Sequence, residues 1–280
     1  MDKIALYNKT SLHCSKLTTR KYSTSFSLGI LSLSKEFRNP IYSIYGFVRL
    51  ADEIVDSFHD HPKEDLLDRF ELDTWRAINE KISLNPILNS FQLAVNEYRI
   101  DQDLIRQFLH SMRMDLDQKN HTENSYKEYI LGSAEVVGLM CLHVFLQGDS
   151  ARYEALKPYA MALGAAFQKI NFLRDLQADF NSLGRTYFPG VNLGQFNDEA
   201  KKEIEREISE DFKMGLEGIR RLPYGARLGV YVAYVYYWNL FKKIQTMPAS
   251  NIMKERVRIP NAQKYSLMAG SVVRHTFNLI

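Results

Sequence analysis

The stretch INFLRDLQADF, residues 170–180, sets the reading of the whole chain. Asp175 and Asp179 stand four apart, and on a helix positions i and i+4 lie one above the other on the same face. Two carboxylates so placed on an otherwise apolar segment repel, unless water, a cation or a basic ligand sits between them. Working outward, RLADEIVDSF at 49–58 repeats the arrangement. Asp52 and Asp56 are again four apart and again follow an arginine. Two acidic faces on two helices point to one shared site.

Helical signals run from end to end, with apolar residues recurring at spacings of three and four, and period-two runs are scarce. The expected fold is therefore all-α, a single-domain helical bundle over residues 1–280 with a central apolar cavity. One helix is expected at about 40–58, followed by a breaker at His59, Asp60, His61 and Pro62 and a helix through LLDRFELDTWRAI. Asn85 and Pro86 separate that helix from ILNSFQLAVNEY. Asp101 is read as the N-cap of LIRQFLHSMRMDLDQ, and Ser125 as the N-cap of YKEYILGSAEVVGLMCLHVFL. Gly132, Ser133, Ala134 and Gly138 weaken the latter helix, and such residues are accepted where a ligand or another backbone comes close. Residues 150–180 read as one long helix. A loop rich in glycine follows, then helices at about 198–222, 225–246 and 262–277.

With 45% apolar and 25% charged residues, the 280-residue chain has ample material for a core, and wholesale disorder is excluded. A net charge of +3 with no concentration of Lys and Arg argues against a nucleic-acid partner. The densest runs, such as KKEIEREISEDFK at 201–213, mix both signs. Cys14 and Cys141 lack metal spacing and read as small packed hydrophobes of a reduced, cytoplasmic protein. The N-terminus lacks a signal-peptide run, and no stretch is read as reaching the roughly 18 apolar residues of a spanning helix. LGVYVAYVYYWNLF at 228–241 is half aromatic and reads as a core or pocket-lining helix.

Oxygen-only ligand pairs suit a hard cation, and Mg2+ uses one or two carboxylates and completes its shell with water and phosphate. The seven histidines are scattered, which disfavours Zn2+, and no Glu-x-x-His motif supports a di-iron site. Arg49, Arg174 and Arg185 lie close in sequence to the aspartates and suit bidentate phosphate binding. Ser23 and Ser25, with Tyr22, add hydroxyl donors. The small-residue helix 129–146 and the aromatic helix 228–241 suit an apolar cavity. A metal-held diphosphate head and a hydrocarbon tail together define a prenyl diphosphate. Plainer readings stand beside these. Tyr129, Tyr187 and Tyr231 read equally as core aromatics with satisfied hydroxyls. Asp115 reads as a helix-surface acid, Arg256 and Arg258 as surface charges, and Ser23 and Ser25 as helix caps.

At these residues the chain resembles the squalene/phytoene synthase family, the head-to-head prenyltransferases, over nearly its whole length. RLADEIVD, with Arg49, Asp52, Glu53 and Asp56, is similar to the family's first aspartate-rich region. QKINFLRDLQADFNSLGRTYFP is similar to its second, with Gln168, Asn171, Arg174, Asp175, Asp179, Arg185 and Tyr187. YILGSAEVVGLM matches through Tyr129, Ala134, Val137 and Gly138, while Tyr231 and Arg256 look like a later pocket tyrosine and a phosphate-binding arginine. Tyr22 stands where many members carry histidine.

The resemblance implies an isoprenoid-synthase fold with Mg2+, or Mn2+ in its place, held by Asp52, Asp56, Asp175 and Asp179. Tyr129 joins them in catalysis. Two geranylgeranyl diphosphates giving phytoene is the expected reaction, with no NADPH. Condensation of C15 units to dehydrosqualene, presqualene diphosphate or squalene is the alternative, and an inactive assembly factor a non-enzymatic one. Peripheral contact with the inner face of a membrane is a further expectation.

Overall fold

The computed structural model describes residues 2–117, 121–178, 187–189, 196–254 and 256–280. Among these the regular structure is helical throughout. The first element, α1 (Lys3–Tyr22), carries no strong apolar stripe to announce it. Its buried positions are Ser11, Ser15 and Thr19, a polar stripe at spacing four. It packs on α3 (Lys35–Asp56) and α5 (Pro86–Tyr98), and hydrogen bonds tie it to α5. Ser15 Oγ lies 2.5 Å from Ser90 Oγ, and Asn89 Nδ2 donates to Asn8 Oδ1 at 3.0 Å and to Ser11 Oγ at 3.1 Å.

Helix α3 begins at Lys35 and carries Pro40 inside it, so the start expected at about 40 falls within the helix. Asn85, expected only as a break between helices, caps α5, accepting from Ile87 N at 3.0 Å with Pro86 at the first helical position. After α4 (Lys63–Glu80), α5 and α6 (Gln102–Asp117) comes α7 (Glu123–Ile130). Its N-cap is Thr122, not Ser125. Ser125 sits three residues on and returns the bond to the Thr122 N–H, a reciprocal capping box. The helix then widens into a π turn (Leu131–Glu135) before α8 (Val136–Leu146).

The continuous run Glu123–Leu146 is long and apolar enough, by composition, to cross a membrane, so the expectation that no stretch reaches that threshold is corrected. The run is apolar because it meets the core and lines a cavity, with 56% of its most apolar window buried.

Helix α9 (Ser150–Ala178) runs unbroken through Pro158 and packs along α8, the π turn and α10 (Asp198–Arg221). Helix α11 (Tyr224–Gln245) packs on α10 and on the short α2 (Thr24–Leu31). After α12 (Ala249–Ile252), α13 (Asn261–Thr276) lies against α11 and α2. One core cluster centres on Phe47, stacked on Phe91 at 3.9 Å, and a second centres on Phe212 and Phe241.

Candidate active site

A cavity of about 470 Å³ opens between α2, α3, α8, α9, α10 and α11. Close helix crossings build its walls. A Cβ at Gly229 would meet the Gly29 carbonyl oxygen at 2.7 Å as well as the Leu33 side chain. That contact presses α11 onto α2. One at Gly164 would meet the Ala134 carbonyl at 2.8 Å, so α9 reaches the π turn only through a glycine. Leu142, Phe145, Leu156 and Leu222 make much of the lining apolar. Cys141 belongs to it, its thiol pushed up to about 12 by burial and unreactive.

The polar lining comes from two helices. On α3, Tyr45, Arg49 and Asp52 fall on one face at spacings of four and three. The Arg49 guanidinium stacks over the Tyr22 ring, 4.5 Å from its centroid, and bonds Glu53 through Nη2. Its Nη1 stands 3.8 Å from Asp52 Oδ2, and its Nε is buried without a partner. Burial pushes the Asp52 carboxyl up to about 8, with Arg49 opposing and Asp56 and Asp115 reinforcing the rise. The Asp52 side chain keeps 36% of its surface open, so its setting is a recess that admits water, not a sealed core.

On α9, Gln168, Asn171 and Arg174 line the cavity at spacing three. Arg174 Nε bonds both Asp175 carboxylate oxygens at 3.1 Å, and Arg256 Nε reaches Asp175 Oδ1 at 2.6 Å from beyond α12. Asp175 is therefore flanked by two guanidinium groups. The Tyr237 hydroxyl donates to Asn171 Oδ1 at 3.3 Å. An aromatic layer joins the two polar walls: Phe26 lies 5.6 Å from Tyr45 and 5.8 Å from Tyr237, and Tyr237 stacks on Phe167 at 4.1 Å.

Of the residues singled out from sequence, the cavity brings together Tyr22, Ser23, Arg49, Asp52, Ala134, Val137, Gly138, Gln168, Asn171, Arg174 and Arg256. Ser23 also caps α2, accepting from Phe26 N at 3.1 Å, so its plainer reading holds as well. Ser25 is buried and is not part of the lining. Tyr231 is a correction. It turns into the second core cluster toward Tyr234, and Tyr237, six residues on, is the α11 tyrosine of the cavity. Asp179 and Arg185 lie outside the described residues.

Asp115 is a second correction. It is 6% exposed, not a surface acid, and accepts from the Tyr129 hydroxyl at 2.7 Å and the Tyr187 hydroxyl at 3.4 Å. His121 packs against both tyrosine rings, at 5.2 and 5.5 Å. Tyr129 and Tyr187 thus sit beside the acidic recess rather than in the cavity lining. Burial above all, and then the Asp115 charge, pushes the Tyr129 hydroxyl well above the usual phenol range. A sequence signal existed: Phe108, Ser111, Met112 and Asp115 share one face of α6, and all four are buried.

On the far side of α9, Lys169 Nζ bonds Asp211 at 2.9 Å and Glu207 at 3.1 Å. Glu135 of the π turn stands near, its carboxyl pushed up to about 7 by burial and by Asp211, against the pull of Lys169.

Among the described residues, no three His, Cys, Asp or Glu side chains converge as metal ligands. The donor chemistry nevertheless suits a hard divalent cation. Asp52 has only oxygen donors to offer, and Asp56 and Asp115 add negative charge to its recess. The unpartnered Arg49 Nε, with Arg174 and Arg256, suits an anion at the same mouth.

A family model described as squalene/phytoene synthase matches residues 19–263. The chain belongs to the squalene/phytoene synthase family. That family is one of prenyltransferases. Over 94% of its length the chain is 26% identical to the 15-cis-phytoene synthase of Synechococcus elongatus, of which 92% is covered. Over 84% it is 28% identical to the chloroplastic phytoene synthase of Narcissus pseudonarcissus, and it spans 59% of that protein's length. In fold it is similar to a crystal structure of a dehydrosqualene synthase, with a TM-score of 0.81, 20% identity, and 97% and 98% of the two chains covered. The squalene synthase HpnC of Alicyclobacillus acidocaldarius superposes with a TM-score of 0.74 at 19% identity, covering 86% of this chain and 95% of that one. The isoprenoid-synthase fold expected from the sequence is thereby shown.

Proposed function

We propose that this chain condenses two prenyl diphosphates head to head, taking two geranylgeranyl diphosphates to phytoene with release of two diphosphates. The observation that carries this reading is the cavity: an apolar body whose polar mouth pairs carboxylates with three arginines. An amphipathic substrate with an anionic head and a long hydrocarbon tail matches both parts.

Asp52 and Asp56 on α3, Asp175 on α9, and Asp179 of the same sequence motif would hold Mg2+, which when bound supplies charge to draw off the leaving diphosphate. Arg49, Arg174 and Arg256 hold diphosphate oxygens by charge-assisted bonds. In the first half-reaction, a C–O bond breaks, diphosphate leaves, and the allylic cation is attacked by the double bond of the second substrate. Loss of a proton closes a cyclopropyl diphosphate. In the second, that diphosphate leaves, the skeleton rearranges, and a further proton loss gives the C40 hydrocarbon. No electrons enter from outside, so no nicotinamide is required. The faces of Phe26, Tyr45, Phe167 and Tyr237 stabilise the cationic stages, and the dry wall withholds the water that would quench them.

The test is incubation of purified protein with Mg2+ and, separately, geranylgeranyl and farnesyl diphosphate, with analysis of the extracted hydrocarbon. Phytoene from the C20 substrate is expected. A C30 product in its place moves the assignment to the shorter chain, and no product from either by folded protein refutes the enzyme reading and leaves an assembly role. Asp52→Ala and Asp175→Ala each abolish turnover while the helical circular dichroism is retained. Chelation by EDTA stops turnover and added Mg2+ restores it.

A further inference from the structure

Charge is divided very unevenly along this chain. Residues 221–280 hold nine Lys and Arg against the single acid Glu255, a balance of +8, while residues 1–220 hold 27 against 32, a balance of −5. No basic run marks this segment. The asymmetry comes from the near absence of acids, which is why a scan for clustered Lys and Arg passes over it.

The same segment contains α13, whose inner face, including Leu267, Ser271 and His275, packs toward α11 and α2. Its outer face reads Tyr265, Ala269, Val272, Val273 and Thr276, all exposed and all uncharged, and Phe277 extends it. Exposure reaches 55% at Tyr265, 54% at Val273 and 70% at Phe277. The solvent face of a surface helix is ordinarily its charged face, and here that rule is reversed. Tyr224, 71% exposed and 4.5 Å from the His275 ring, widens the patch. The exposed apolar residues of α1, Ile4, Leu6 and Leu17, make no such face, since Lys9, Lys16 and polar residues separate them.

We infer that the outer face of α13 docks on an anionic lipid bilayer. An uncharged, partly aromatic face rimmed by cations such as Lys264 and Arg274 has the form of an interfacial helix, with apolar side chains entering the headgroup boundary and Lys and Arg meeting lipid charge. Two other occupants fit less well. A second copy in a symmetric dimer would set one +8 segment against another. A nucleic acid needs cations at the centre of the contact, where this face has none. Helices α2 and α11, on which α13 rests, supply Gly29, Ile30, Gly229 and Ala233 to the cavity, so docking sets a cavity wall beside the bilayer. The inference rests on this surface alone and does not require the proposed reaction.

The test is co-sedimentation of the full chain, without substrate, with vesicles of phosphatidylcholine and with vesicles that also contain phosphatidylglycerol. The comparison is the double variant Val273→Glu/Phe277→Glu, whose fold is checked by circular dichroism and thermal melting. Binding to the anionic vesicles, weakening with added salt and falling roughly tenfold or more in the variant, is expected. Failure of the natural chain to bind, or equal binding by the variant, overturns the inference. So does a variant that converts a dimer to a monomer while vesicle binding stays unchanged, which assigns the face to a second copy. Because no turnover is measured, this outcome is separable from failure of the proposed reaction.

Discussion

Replacing Glu135 by Gln should flatten the dependence of stability on pH. The Glu135 carboxyl is raised in the folded chain from an ordinary 4.5 to about 7, first by burial and then by Asp211, with Lys169 opposing. Between those values the unfolded chain gives up the proton and the folded chain keeps it, so stability falls as pH rises from 4.5 to 7. At about 1.4 kcal/mol per pH unit, that gap would amount to about 3 kcal/mol, and solvent screening of this half-buried side chain cuts it to about 1–2 kcal/mol. Gln keeps the shape of the protonated acid and cannot ionise, so the variant should match the natural chain near pH 4.5 and exceed it by about 1–2 kcal/mol at pH 8. Urea unfolding followed by circular dichroism at half-unit steps between those pH values measures both curves. Parallel profiles would refute the assignment of a half-buried, proton-holding carboxyl to the π turn.

Lys169→Met leaves Glu207 and Asp211, one turn apart on α10, without their shared cation and should lower the urea midpoint by the equivalent of about 1–2 kcal/mol, since Glu207 is mostly exposed. Tyr129→Phe removes the shorter of the two hydroxyl bonds to the buried Asp115 and should cost about 1–3 kcal/mol, read as a lower thermal midpoint. Gly229→Ala puts a methyl against the Gly29 carbonyl and should cost about 1–3 kcal/mol while narrowing the cavity, so turnover falls with stability.

The longer helices from α3 onward were legible because their buried faces are apolar and periodic, as in Phe37, Ile41, Ile44 and Phe47, while the four-residue α12 is too short to show a period. Helix α1 was not, because it buries serine and threonine and holds its place by hydrogen bonds that carry no hydropathy signal. Arg49, Arg174 and the carboxylates beside them stood out by spacing, since one turn of helix fixes which side chains share a face, whereas Arg256 was reached only through the family resemblance because it comes to Asp175 from a distant segment. Which tyrosine of α11 enters the cavity was not. Four of its residues between 231 and 237 are tyrosines, and the choice of Tyr237 depends on the rotation that the Gly229–Gly29 contact imposes. Asp115 was misread because an acid on an amphipathic helix is usually solvated, and only the partner hydroxyls from α7 and from Tyr187 reveal it as buried.

The π turn at Leu131–Glu135 has a consequence for how this wall can change. It accommodates an extra residue within an otherwise helical run, and each residue of an α-helix turns the chain by about 100°. The wider turn takes up that extra residue by turning less per residue, so the helix beyond it keeps nearly the phase of a regular helix one residue shorter. Deleting one residue within the bulge would close it into regular α-helix and leave Val137, Gly138 and Cys141 on the cavity wall, whereas deleting one from the regular turns of α8 would rotate everything beyond by about 100°. The bulge therefore acts as slack: a one-residue length change here is absorbed locally, and the wall of the chamber keeps its lettering.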